Sequence, residues 1–244
     1  MLIEALNLGY FYTKDKFCFK DLSFGLNEDE TLAILGLNGQ GKSTLLYNLI
    51  DILEPKIGEV NINQSFSYLG QNLSLNFNYS VIDVVLMGLA SKISLFKTPS
   101  KNDYEKSEKA LEILGILSLK DRLYATLSGG QKQLVLLARA IVPNNKILIL
   151  DEPFSAMDLK NQNKVLSLIK NLKKELNLTV IFTTHNPNHA HRVADKTLIL
   201  YDDLSYEFGN TDDVLTPSNL TKLYDVRVES VKFENKDYLI TLFD

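Results

Sequence analysis

Short unbroken apolar runs alternate along this chain with longer stretches whose apolar positions recur every three or four residues. "TLAIL" at 31–35, "ILIL" at 147–150, "TVIFTTH" at 179–185 and "TLILY" at 197–201 are continuous runs, the pattern of buried strands. "STLLYNLIDIL" at 43–53 reads as a helix, stopped by Pro55 and Gly58. "DLKNQNKVLSLIKNLKKELN" at 158–177 reads as another, with Val165, Ile169, Leu172 and Leu176 on its core stripe and lysines and asparagines towards water. Alternation of this kind implies parallel strands joined by crossover helices. Between 72 and 143 the strand signal fades. "SVIDVVLMGLASKI" and "KNDYEKSEKALEILGIL" have helical spacing, with "SLFKTPSK" as the loop between them. The expectation is one domain over 1–244: an α/β core formed by 1–71 and 144–244, with a helical lobe at 72–143 inserted between its halves. The C-terminal "VRVESVKFENKDYLITLF" alternates weakly and predicts a closing hairpin.

Composition narrows the class. With 244 residues, 45% of them apolar, the chain can bury a full core. The formal charge of −4 argues against a sequence-independent nucleic-acid binder, so no nucleic-acid partner is expected. Cys18 is the single cysteine, which rules out an intramolecular disulfide and fits a reducing compartment. Glu4 and the lack of a basic start with a long apolar run speak against a signal peptide. No stretch approaches the ~20 apolar residues of a spanning helix. A cytoplasmic protein is expected, one that works at a membrane only by docking on another chain.

Three motifs carry chemistry. Gly36-Leu-Asn-Gly39-Gln-Gly41-Lys42-Ser43 fits the phosphate-loop pattern, and it follows a predicted strand and opens a predicted helix. Its glycines let backbone N–H groups wrap a β-phosphate, Lys42 reaches the β- and γ-phosphates, and Ser43 offers a hydroxyl to Mg²⁺. In "ILILDEP" a buried strand ends at Asp151, placed to hold Mg²⁺, and Glu152 follows on the strand's other face, where a carboxylate near a γ-phosphate can polarise the attacking water. In "LSGGQ", Ser128, Gly129 and Gly130 precede a helix and form a second anion-binding N-terminus, although serine is also an ordinary cap. One chain has no evident use for two phosphate cradles. Two copies facing head to tail do.

Taken in order, GLNGQGKST, Gln71 in "YLGQ", LSGGQ, ILILDEP, "SAMD" and "TTH" resemble the ATP-binding-cassette ATPases over essentially the whole chain. The resemblance implies an α/β phosphate-loop NTPase core with an inserted α-helical lobe and an N-terminal antiparallel β portion. It implies ATP and Mg²⁺ as cofactors. Gly36, Asn38, Gly39, Gln40, Gly41, Lys42, Ser43 and Thr44 would hold the nucleotide, with Tyr10 stacking on adenine and Tyr12 as the second choice. Gln71 would sense Mg²⁺ and the γ-phosphate. Ser128, Gly129, Gly130 and Gln131 would serve the nucleotide of a partner copy. Asp158 would couple the two sites, and His185 would act on the γ-phosphate. His189 and His191 have no such context and read as surface or packing residues. Phe154 stands where threonine is usual, Met157 where leucine is usual, and Asp29 where glycine is frequent.

A narrower resemblance lies in "SVIDVVLMGLASKISLF", "KNDYEKSEKALEILGI", "LSGGQKQLVLLARAI" and "LTPSNLTKLY", which are similar to ATPase subunits of metal-chelate importers. It implies a homodimer on the cytoplasmic face of the inner membrane, bound to transmembrane permease subunits and served indirectly by a periplasmic or lipid-anchored substrate-binding protein. An iron complex is the first expectation for cargo, molybdate or tungstate the next. The alternative is a soluble scaffold ATPase of the kind used in iron–sulfur cluster assembly.

Overall fold

The computed structural model describes residues 1–14, 16–71, 78–93, 97–155, 157–233 and 236–242. Among these the elements run β1 (Ile3–Thr13), β2 (Lys16–Leu26), β3 (Thr31–Leu35), α1 (Lys42–Leu49), β4 (Ile57–Ile62), β5 (Phe66–Leu69), α2 (Val81–Leu86), α3 (Lys101–Ile113), α4 (Gly129–Ile141), β6 (Ile147–Leu150), α5 (Leu159–Leu176), β7 (Thr179–Thr184), α6 (Pro187–Val193), β8 (Lys196–Leu200), β9 (Tyr206–Asn210), α7 (Thr211–Val214), α8 (Pro217–Tyr224), β10 (Val228–Phe233) and β11 (Lys236–Thr241). The chain forms two compact units, one of residues 1–64 with 169–244 and one of residues 65–168. The second unit is broader than the helical segment 72–143, because it also takes in β5, β6 and the start of α5.

In the first unit, β2, β1 and β4 form an antiparallel sheet in that order, the N-terminal β portion. A second sheet holds β7, β3, β8 and β9 side by side. β3 lies parallel to both neighbours, pairing Thr31 with Val180 and Leu32 with Lys196. All five residues of β3 and all six of β7 are buried. That is why their sequences read as unbroken apolar runs rather than as alternation. β9 pairs antiparallel with β8 and closes this edge. The turn into β3 uses Asp29 in a left-handed conformation (φ 63°), its N–H donating to Thr179 Oγ1 at 2.9 Å. Aspartate tolerates that backbone better than most residues, so it can stand where glycine is frequent.

The helix expected over 43–53 stops at Leu49. Asp51 is left-handed (φ 58°), and the N–H groups of Ile52 and Leu53 both return to the Tyr47 carbonyl at 2.9 and 3.1 Å. Asn48 Nδ2 donates to the Leu53 carbonyl at 3.0 Å, so the turn is complete before Pro55. The C-terminal strands β10 and β11 pair antiparallel from Val228↔Thr241 to Phe233↔Lys236, the expected hairpin.

In the second unit, β5 and β6 pair in parallel from Phe66↔Ile147 to Leu69↔Leu150. Three of its helices begin alike: Ser80, Ser100 and Ser128 cap α2, α3 and α4, and the third residue of each helix, Asp83, Asp103 or Gln131, reaches back to the serine N–H. Such a reciprocal cap satisfies two donors that a helix start otherwise leaves open. The helical run expected from 80 shortens to α2 and a 3₁₀ turn at Met87–Leu89. Gly88 sits where that turn meets α4: a Cβ there would stand 2.1 Å from the Arg139 carbonyl and 2.7 Å from Val142 Cγ1. Val165, Ile169 and Leu172 of α5 are buried on one stripe as expected. The expected start of the lobe at 72–77, residues 94–96 of its loop and the Leu176 side chain lie outside the described residues. No described helix is long and apolar enough to cross a membrane.

Candidate nucleotide site

The buried strand β3 delivers the chain to Gly36, and the loop that follows turns through two left-handed glycines, Gly39 (φ 85°) and Gly41 (φ 84°), before α1 begins. Lys42 is only 5% exposed. Its ammonium donates to the Gly36 carbonyl at 2.9 Å and the Leu37 carbonyl at 3.1 Å, so the loop is wrapped around its own cation. Gln40 Oε1 accepts the Leu37 N–H, and a Cβ on Gly36 would come within 2.9 Å of that oxygen. α1 has no side-chain cap and no acid in its first turn. Its leading N–H groups and its dipole therefore point unopposed at the loop. An ammonium, a helix start and left-handed glycines in one loop make a cradle for a polyphosphate.

Tyr10, the first choice from sequence for stacking on adenine, is 5% exposed and packed within its sheet. A ring so enclosed offers no face to a base. Tyr12, the second choice, is 64% exposed, and its hydroxyl lies 3.1 Å from Thr44 Oγ1. The two rings meet edge to face at 5.1 Å. The difference in exposure between the two rings has a backbone cause. β1 pairs with β2 through register shifts between Ala5 and Leu8, Leu8 and Tyr10, Tyr10 and Phe11, and Phe11 and Thr13, so inside and outside do not alternate strictly along it.

His185 follows β7 directly and is exposed. Its carbonyl accepts a hydrogen bond from the Tyr224 hydroxyl at 2.7 Å. Of the other histidines, His189 is buried and its pKa is lowered to about 4, by burial first and then by His185 and Arg192. His191 lies at the surface, its Nε2 4.0 Å from Asp212 Oδ1.

In the second unit β6 ends at Leu150, and Asp151 follows at 1% exposure with its N–H donating to the Leu69 carbonyl at 2.8 Å. Glu152 departs from the expected strand alternation because it is left-handed (φ 46°), and the chain turns there instead of continuing the strand. Gln71 Nε2 donates to Glu152 Oε2 at 3.0 Å, which brings together two residues that the sequence singled out 81 positions apart. Phe154 and Met157 are buried. Their departures from the usual residues are thus changes of packing side chain. Asp158 is exposed and accepts the Asn161 N–H at 2.8 Å at the start of α5. Ser128, Gly129 and Gly130 open α4, with the Ser128 hydroxyl accepting from the Gln131 N–H. Tyr12, residues 36–44 and His185 thus belong to the first unit, and Gln71, residues 128–131, Asp151, Glu152 and Asp158 to the second.

Among the described residues no three His, Cys, Asp or Glu side chains cluster as a metal cage. A buried aspartate, a hydroxyl such as that of Ser43 and the Gln71 amide are hard oxygen donors. Each taken by itself is the kind of ligand that Mg²⁺ accepts beside water and substrate phosphate.

The sequence profile described as "ABC transporter" matches residues 19–155, more than half the chain. The chain belongs to the ABC transporter family. The matched span takes in the phosphate loop, Gln71, LSGGQ and Asp151–Glu152, and the protein is an ABC ATPase with the expected mixed fold. Among curated relatives, the molybdate import ATP-binding protein MolC of Haemophilus influenzae is 44% identical over 241 residues, covering 99% of this chain and 95% of its own. A probable iron chelatin transport ATP-binding protein of Helicobacter pylori is 36% identical and covers 97% and 98%. Among solved structures, a chain described as belonging to an inward-facing metal-chelate type ABC transporter superposes with a TM-score of 0.92 at 41% identity, over 99% of this chain and 98% of that one.

Proposed function

We propose that this ABC ATPase powers the import of a metal oxyanion or metal chelate through a transmembrane permease. The observation that carries the reading is the extent of the likeness: the 41% identity to the metal-chelate type transporter chain runs over 99% of this one, helical lobe included. On this reading molybdate comes ahead of the iron complex preferred from sequence alone, supported by the 44% identity to MolC, with the iron complex second, supported by the Helicobacter relative. A soluble assembly scaffold finds no support among these relatives. The protein would act as a head-to-tail homodimer on the cytoplasmic face of the inner membrane, with a periplasmic or lipid-anchored protein supplying cargo to the permease.

ATP would bind with its base on Tyr12 and its phosphates in the 36–44 loop. On arrival of the phosphates, the Lys42 ammonium exchanges two loop carbonyls for phosphate oxygens, so its position is prepared in advance. Ser43, Asp151 and Gln71 would hold Mg²⁺, which when bound neutralises phosphate charge. Glu152 orients and polarises a water. The water oxygen bonds to the γ-phosphorus, the bond from phosphorus to the β–γ bridging oxygen breaks, and the water's proton leaves towards Glu152. Gln71 holds that carboxylate here, so the water would have to share or displace this bond. His185 meets the γ-phosphate from the same chain, and Ser128, Gly129, Gly130 and Gln131 from the other copy. Asp158 links the two sites.

The test of the importer reading uses two exposed apolar residues of the lobe. Tyr79 and Leu123 are 39% and 44% exposed and lie on adjacent backbone joined by a Tyr124 N–H to Tyr79 carbonyl bond of 2.9 Å. Tyr79→Glu and Leu123→Glu should keep ATP turnover in isolation yet fail to co-purify with a permease that binds the wild type. Normal co-purification by both variants, or no permease that binds the wild type, would sink the reading.

A further inference from the structure

β7 ends at Thr184 and α6 begins at Pro187, so His185 rides on a two-residue connection. A set of hydrogen bonds closes around it. The Asn188 N–H donates to Asn186 Oδ1 at 3.0 Å, which fixes the other end of that amide, Nδ2, as the group 3.4 Å from His189 Nε2. Nε2 is therefore an acceptor. In the neutral ring the proton then sits on Nδ1 and donates to Thr184 Oγ1 at 3.0 Å. The Asn186 N–H donates to the same hydroxyl oxygen at 3.1 Å. Burial, aided by the neighbouring His185 and Arg192, keeps His189 neutral and this pattern intact. A second tie comes from 39 residues away: Tyr224, the last residue of α8, donates its hydroxyl to the His185 carbonyl at 2.7 Å. Burial pushes the Tyr224 pKa upward, so the phenol keeps its proton.

We infer that His189 and Tyr224 are positioning residues for His185: one ties together the side chains of the residues on both sides of it, Thr184 and Asn186, the other ties its own carbonyl, and the exposed imidazole is presented from a fixed support. The inference rests on the proposed role of His185 at the γ-phosphate. Neither residue touches nucleotide. Each acts through where His185 stands, and displacement of a reacting group by about 1 Å can cost up to ~10²-fold in rate.

The experiment is a pair of double-mutant cycles read by steady-state ATP turnover and by equilibrium ATP titration. Tyr224→Phe removes one oxygen and keeps the packed ring. His189→Gln keeps a polar group that can still donate to Thr184. Each should lower kcat about 5- to 20-fold and leave ATP affinity within about 2-fold. In a His185→Ala background, the same substitutions should change kcat by less than about 2-fold, because residues that act through one group are not additive. Amide exchange at Asn186 should quicken in His189→Gln, a readout independent of catalysis. Equal losses in both backgrounds, a parallel loss of ATP affinity, or unchanged kcat in both single variants would overturn the inference. Those outcomes leave the proposed function standing if His185→Ala is itself impaired. Full turnover in His185→Ala would remove that role and this inference together.

Discussion

Lowering the pH from neutral should weaken this protein through His189, and the size of the effect follows from burial. His189 is 7% exposed and its folded pKa is about 4, against an ordinary 6.5. The folded state disfavours the protonated ring while the unfolded chain does not. The contribution of His189 is therefore fully present above pH 6.5 and is lost as the pH falls towards 4, because the unfolded chain takes up a proton that the folded one refuses. Each unit of difference is worth about 1.4 kcal/mol, so the loss over this window is on the order of 3 kcal/mol. Carboxylates also respond to acid. Asp103, held low by its Ser100 hydrogen bonds, and Asp203, brought to about 2 by those from Ser205 and Lys222, lose their contributions at lower pH. His189→Gln isolates the histidine, since carboxylate titrations cancel between the two proteins. The chain has no tryptophan, so urea unfolding is followed by circular dichroism. At pH 8 the variant should be the less stable, having lost part of the loop network. Between pH 6.5 and 4 the gap should close, with wild type losing up to about 1.4 kcal/mol per pH unit more than the variant. Two stability curves that stay parallel over this window would refute the reasoning.

Three further outcomes are expected. Tyr12→Ala should weaken ATP binding about 5- to 50-fold, the worth of one stacked base, while Tyr10→Phe leaves it within about 2-fold, both read by titration; the reverse order would restore Tyr10. Lys42→Ala should abolish both ATP hydrolysis and ATP-driven dimerisation by size-exclusion chromatography, since the variant lacks the cation around which the loop is built. Gly88→Ala should lower unfolding stability by about 1–3 kcal/mol, because the added Cβ meets the Arg139 carbonyl, and an unchanged thermal midpoint would show that α4 can yield there.

The strands of the core were legible because burial on both faces leaves no exposed position in β3, β6 or β7, and their residues are apolar or threonine, so composition alone marks them. The phosphate loop was legible because its glycines, lysine and serine each answer a separate geometric demand. Other features depended on information that local pattern does not carry. The end of α1 is set by left-handed Asp51 and by Asn48 reaching to Leu53, not by the proline further on. The orientation of Tyr12 is set by bulges in β1, which defeat any period-2 reading. β9 is an edge strand of mixed burial with a weak apolar signal of its own. The contact between Gln71 and Glu152 and the bond from Tyr224 to His185 join residues far apart in sequence, so only the folded chain displays them. His189 read from sequence as a surface or packing residue, and it is buried. Its further value lies in which atoms it bonds.

The most direct test of the account is ATP turnover by Glu152→Gln at saturating Mg·ATP, beside wild type. Glutamine keeps the size and hydrogen-bonding reach of the side chain but cannot take up a proton from the attacking water. Turnover should fall about 10²- to 10⁴-fold, the range for loss of general-base help. Wild-type turnover in Glu152→Gln would contradict the assignment of the hydrolytic centre to the end of β6.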